Sequence, residues 1–148
     1  MNKPKAIYIS AHLPSNKIHV AGHKVAFDDI KRLAREYDGY LISFINDNEI
    51  KYFDASLYSF CVDAHFFRVS KWHRLYRLLL NITLPIKTAV RVSNQAKRLI
   101  EAYFKDEDIK LFHAHYTPMG CYAEFVPKAI KKEIVIQDVV YQSLQRFR

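Results

Sequence analysis

Two histidines sit two residues apart in the run LFHAHYTPMG, residues 111–120. Side chains alternate along a strand, so His113 and His115 point to one face. Imidazoles placed this way can chelate a metal, move a proton or hold a ligand's hydroxyl. A zinc site takes at least three ligands as a rule, and His12 or Asp138, at the ends of other strand-like runs, would have to supply one. We read the pair without a metal, with His113 a buried, hydrogen-bonded core residue and His115 the functional group. His115 ends its apolar run. Thr117-Pro118 directly after it has the signature of a helix start, Thr at the cap and Pro at the first helical position. A helix amino terminus favours an anion nearby.

The other candidates stand alone. Gly22 precedes a helical pattern and either lets backbone amides approach a diphosphate or serves a turn that needs positive φ. Asp138 either accepts a hydrogen bond from a hydroxyl or caps a helix. No GxGxxG, GxxxxGK[ST] or GxSxG pattern occurs, which argues against dinucleotide, P-loop and serine-hydrolase sites. Cys61 and Cys121 form no CxxC pair and read as reduced thiols, Cys121 buried and structural.

These residues need elements to hold them. Strand-like runs occur at 5–10 (KAIYIS), 40–45 (YLISFI), 60–66, 111–115 and 133–137 (EIVIQ). Between the first two, Val25, Phe27, Ile30, Leu33 and Ala34 recur at helical spacing and predict a helix over 23–37, which Asp38-Gly39 stops. Residues 46–58 read as loop with a weak helix. Helices are expected at 69–80 and 85–105, a third from Thr117, and loop or helix from Asp138 onward. Strands alternating with helices imply βαβ units on a parallel sheet, and the strands are short continuous apolar runs, as parallel strands covered on both faces should be. Ligands bind such sheets outside the carboxyl ends of the strands, where His115 falls. The expected fold is therefore a Rossmann-like, three-layer αβα domain with a mainly parallel sheet.

The 148 residues suit one domain, and 50% hydrophobic with 14% aromatic residues marks a chain that folds. No run approaches the roughly 18 apolar residues of a membrane span. The net charge of +8 is unevenly placed. From Ala64 to Ile100 stand Arg68, Lys71, Arg74, Arg77, Lys87, Arg91, Lys97 and Arg98, with no acid among them. Such a block expects an anionic partner. Within it Trp72, Leu75, Tyr76 and Leu79 follow a 3–4 spacing while Lys71, Arg74 and Arg77 fall elsewhere. This is the layout of a basic amphipathic helix on a membrane surface, or of an ordinary helix with its apolar side on the sheet. The charge excess favours a surface that meets anions. No motif points to nucleic acid, and none is expected as a partner.

Three segments together resemble a known family. KAIYISAHLPS…AGHKVAFDDIKRLAREYDGYLISF resembles the opening of the GT-B-fold, retaining, nucleotide-sugar-using glycosyltransferases of the family 4 type. DIKLFHAHYTPMG resembles that family's D-hydrophobic-hydrophobic-H-x-H segment, and EIVIQDVVYQSLQRF the strand-and-helix segment that follows it. The resemblance implies two Rossmann-like domains facing across a cleft, the amino-terminal one binding the acceptor and the other the donor. It implies His115 beside the reacting sugar with Asp138 as the acid after the next strand. It puts Gly22 and His23 in the loop at the donor's phosphates, and His12, Tyr116 and Thr117 at substrate. Ala21 stands where the family has the first of two glycines, and Gln137 where histidine is frequent. The family's E-x7-E carboxylate pair is absent. That pair belongs to the donor domain, so residues 1–148 are expected to be the amino-terminal domain of a longer enzyme.

The expected function is acceptor binding in transfer of a sugar from a nucleotide-sugar to a glycan or lipid-linked acceptor. The nucleotide-sugar is a co-substrate held by the other domain, and no cofactor is expected. Activity is not expected of this domain by itself. The expected location is the cytoplasm, peripheral on the inner face of the membrane, with Arg68, Lys71, Arg74 and Arg77 towards anionic lipid. The alternative is a flavodoxin-like or response-regulator-like module that binds an anion or partner without catalysis. A response regulator needs acids at the end of its first strand, and here that end reads Ser10-Ala11-His12.

Overall fold

The computed structural model describes residues 3–83 and 86–136. In chain order these form β1 (Lys5–Ser10), α1 (Ala21–Leu33), β2 (Asp38–Ile45), β3 (Cys61–Arg68), α2 (Lys71–Leu80), α3 (Ile86–Ala89), α4 (Asn94–Asp106), β4 (Ile109–His115) and β5 (Lys131–Val135). Short 3₁₀ helices at Ile50–Tyr52, Ala55–Ser59 and Thr117–Phe125 fill the connections. The five strands make one sheet in the order β3-β2-β1-β4-β5, and every pairing is parallel. This is the Rossmann-like three-layer arrangement expected from the sequence.

Alternation along the strands builds two cores. Ile7, Ile9, Ile42, Phe44, Phe112 and Ala114 face Ala96 and Ile100 of α4, with Met119 and Tyr122 of the last 3₁₀ helix. Ala6, Tyr8, Leu41 and Leu111 face Phe27, Ile30 and Leu33 of α1. Fully burying one such side chain contributes roughly 1.5–3 kcal/mol, so the helices are held by their apolar faces rather than by propensity. Caps set where they begin. Ser70 accepts from the His73 N–H at the start of α2, and Ser93 from the Ala96 N–H at the start of α4.

Topology also fixes where a ligand fits. The chain leaves β1 outward through β2 and β3, then crosses back to β4 on the other side of β1. The connections at the carboxyl ends of β1 and β4 therefore diverge, the place where open sheets of this kind hold ligands; the cleft of this structure opens beside it, at the carboxyl ends of β1 and β2.

Several boundaries differ from the expectation. The single helix expected over 85–105 is two: α3 ends at Ala89, and α4 starts afresh at Asn94 behind its Ser93 cap. Thr117 is not a cap. It is the first residue of a 3₁₀ helix whose preceding residue, Tyr116, takes the left-handed conformation at φ 76°. Gly22 lies inside α1, and no glycine has positive φ among the described residues, so its turn reading falls.

Candidate functional site

At the carboxyl edge, the loop after β1 carries His12. Its backbone carbonyl accepts from the Ser10 and Ser43 hydroxyls, at 2.7 and 3.0 Å. Its Nδ1 lies 3.1 Å from Glu49 Oε1, and its Nε2 3.5 Å from Arg91 Nη2. Glu49 is buried in the loop after β2 and also accepts from the backbone N–H groups of Leu13 and Asn46. Burial alone would raise its carboxyl, but the His12 and Asn46 hydrogen bonds outweigh that and hold it below its ordinary value. His23, on the first turn of α1, places Nδ1 2.8 Å from the Leu13 carbonyl. A carbonyl only accepts, so Nδ1 carries the proton. Its Nε2 is 3.7 Å from Glu49 Oε1. One buried carboxylate thus ties two loops, the first turn of α1 and two imidazoles together.

Beside this cluster opens a cleft of about 430 Å³. Phe44 and Val69 give it apolar walls, and His12, Asn46, Arg74 and Arg91 its polar ones. Arg91 is aimed from behind: its Nε donates to the Ala11 carbonyl at 3.2 Å. The backbone presenting it is clamped by the buried Tyr122 hydroxyl, which donates to the Arg91 carbonyl at 2.6 Å and accepts from the Ser93 N–H at 2.9 Å. A cleft with two guanidinium groups, an imidazole and an amide beside apolar walls is suited to an anionic ligand with an apolar part.

The histidine pair lies elsewhere. His113 and His115 face α1, and their residues are only 2% and 1% exposed. The expectation that His115 faces the open cleft is corrected: its Nε2 lies 3.1 Å from Asp29 Oδ2 on α1. Burial first, then the neighbouring His113, holds its imidazole well below the ordinary value, so it is neutral at pH 7. His113 is buried and hydrogen-bonded as expected, its Nδ1 3.1 Å from Glu133 Oε2 on β5. Tyr116 follows the pair at the same edge. Its ring meets His12 at 5.1 Å between centroids, and its hydroxyl end occupies the space a Cβ would take on Gly22. Gly22 is thus required by the close approach of Tyr116, and phosphate amides need not be invoked. Thr117 is exposed at the same edge. Asp138 and Gln137 lie outside the described residues.

The basic block divides. Arg74 lines the cleft. Arg77 turns inward, its Nη1 donating to the Val90 carbonyl at 3.1 Å. Arg68 pairs with Asp47 on the surface, and Lys71 opens α2. The apolar stripe of α2 does not lie on the sheet: Trp72, Leu75, Tyr76 and Leu79 are 81%, 52%, 62% and 70% exposed. Among the described residues no helix is long and apolar enough to cross a membrane.

Two clusters have a metal-ligating composition, His12–His23–Glu49 and Asp29–His113–His115, each with its ligand atoms within 4.8 Å of one another. Asp29, Glu49, Asn46 and Arg91 were not singled out as site residues from the sequence. Asp29 carried a signal, since it stands three residues after Ala26 and four before Leu33, an acid on a stripe that is otherwise buried. Comparison of the chain with protein-family models, with curated proteins and with solved structures finds no match.

Proposed function

We propose that this is the acceptor-side domain of a glycosyltransferase that moves a sugar from a nucleotide-sugar to a phosphate-bearing, lipid-linked acceptor at an anionic membrane surface. The observation that carries the reading is the cleft at the carboxyl ends of β1 and β2, where Arg74, Arg91 and His12 converge beside apolar walls. Two guanidinium groups hold an acceptor phosphate, each charged hydrogen bond contributing about 1.5–3 kcal/mol. His12 is the imidazole within reach of an acceptor hydroxyl, and the buried Glu49 behind its Nδ1 orients the ring. His115 is buried against Asp29 of α1, so the part the resemblance gave it passes to His12. Asp138 keeps the role the resemblance implies, while Gly22 makes room for Tyr116 and His23 is engaged with Leu13 and Glu49. The nucleotide-sugar itself is held by a second domain outside this chain.

The outward stripe of α2 supports the membrane part. An exposed apolar stripe on a helix drawn from a stretch with eight cations and no acid suits anionic lipid. A second domain or a second copy of the chain would instead cover it without regard to lipid charge.

The test is binding of a short-chain polyprenyl phosphate, followed by calorimetry, to the chain and to Arg74→Ala and Arg91→Ala. We expect each substitution to weaken binding about ten- to a hundredfold. No binding to the unmodified chain, or undiminished binding in both variants, overturns the reading.

A further inference from the structure

We infer that Asp29, His113 and His115 form a site for one divalent metal ion of the zinc class, pinning α1 to β4. The donor set is chemically apt, two imidazoles and a carboxylate with water completing four-coordination. The spacing is nearly that of a bound ion. Tetrahedral bonds of about 2.0–2.1 Å put neighbouring ligand atoms about 3.3 Å apart. His115 Nε2 and Asp29 Oδ2 already stand 3.1 Å apart, and all three groups offer atoms within 4.8 Å.

His113 supplies the second, independent observation. Its Nδ1 lies 3.1 Å from Oε2 of Glu133, a carboxylate ion-paired through Oε1 with Lys131 at 2.7 Å. An ionised carboxylate only accepts, so Nδ1 carries the proton and Nε2 the lone pair. That Nε2 is buried with no hydrogen-bond partner. An unsatisfied buried acceptor is costly, and a cation satisfies it. A carboxylate behind the far nitrogen of a histidine is also the usual outer support of a metal-bound imidazole. The ligands are stiff, because β4 is paired on both sides, with β1 and β5. Asp29 is reached from solvent, its side chain 24% exposed. Its other oxygen lies 3.4 Å from Arg32, a cation the metal must share it with. The other cluster, His12–His23–Glu49, lacks this feature: its imidazoles and carboxylate are engaged with Leu13, Asn46 and one another.

The site is independent of the glycosyltransferase reading, and its test measures metal alone. The chain, stripped with chelator, is titrated with zinc by calorimetry and with cobalt by visible spectroscopy. We expect one ion per chain, tetrahedral cobalt bands, a raised melting temperature, and ¹⁵N shifts at His113 and His115 but not at His12. Asp29→Asn, which keeps the side chain's volume, should cut affinity by about a hundredfold, and Glu133→Gln by about ten- to a hundredfold. His12→Ala should leave it unchanged. No stoichiometric uptake, uptake undiminished in Asp29→Asn, or uptake lost in His12→Ala overturns the proposal. Binding of polyprenyl phosphate reports on Arg74 and Arg91 instead, so the two ideas fail separately.

Discussion

Removing one oxygen atom from the core should be felt at the cleft. Tyr122→Phe keeps the ring that stacks on Phe44 at 5.9 Å, so packing is nearly unchanged. It deletes the hydroxyl that bonds both the Arg91 carbonyl and the Ser93 N–H. Ser93 is 4% exposed, so water does not easily replace its lost partner. A buried backbone group left unsatisfied costs about 1–3 kcal/mol. Two such groups, the Arg91 carbonyl being only part-buried, give a loss of roughly 2–4 kcal/mol. For a chain of this size that lowers the melting temperature by roughly 6–12 °C. The same turn presents Arg91 to the cleft, so polyprenyl phosphate should bind several-fold more weakly even where the variant is fully folded. Urea unfolding followed by circular dichroism gives the first number and calorimetry the second. A stability change within about 0.5 kcal/mol, the range of an inert surface substitution, would refute the claim that this hydroxyl clamps the turn.

Other expectations follow from the same contacts. Gly22→Ala sets a Cβ against the Tyr116 hydroxyl, so the ring must swing off His12; the readout is a changed His12 ring signal in NMR, and an unaltered spectrum would contradict the packing. Trp72→Ala with Leu79→Ala removes two largely exposed apolar groups; it should leave unfolding within about 0.5 kcal/mol yet reduce flotation with anionic vesicles at least tenfold, and equal flotation with neutral and anionic vesicles would count against the membrane face. Glu49 has its carboxyl lowered from 4.5 in the folded state, so its contribution is complete above that value and is lost as pH falls through the lower folded value. Thermal melts should therefore fall off below about pH 4.5, and Glu49→Gln should flatten that acid limb; a variant melting curve parallel to the parent's across this range would disprove the assignment.

The parts of the sequence that proved easiest to read are those whose cause is local. Five short apolar runs separated by helical patterns leave little besides a parallel sheet, and that sheet is present. The break between α3 and α4 was obscured because Ala89, Val90, Ala96 and Ile100 keep an apolar rhythm across it, and all four are buried. Ser93, a good capping residue, was the local sign that a new helix begins. The α2 stripe was visible as a stripe, but periodicity says only that a face is apolar, never what it faces. His115 shows the same gap. Alternation put it on the face of His113, yet the helix that covers that face is supplied by residues some eighty positions earlier, and no local pattern records that. The cleft is still less local. Its two arginines come from one acid-free stretch, but only the fold brings them to His12 at the end of the first strand.

The position of β1 in the middle of the sheet bears on how the chain is made. Ser10 is joined to Ser43 on one side and to His115 on the other. As the chain leaves the ribosome, β1, α1 and β2 can assemble early, since their contacts are near in sequence. The other flank of β1 then waits until residues past His115 have emerged, with its amide and carbonyl groups open throughout. Late closure by a distant parallel strand is slow, and an open edge in the interval invites pairing with another nascent chain. Fragments ending before Ile109 should therefore collect in the insoluble fraction, and slower translation should help the complete chain only if the delay falls after β4.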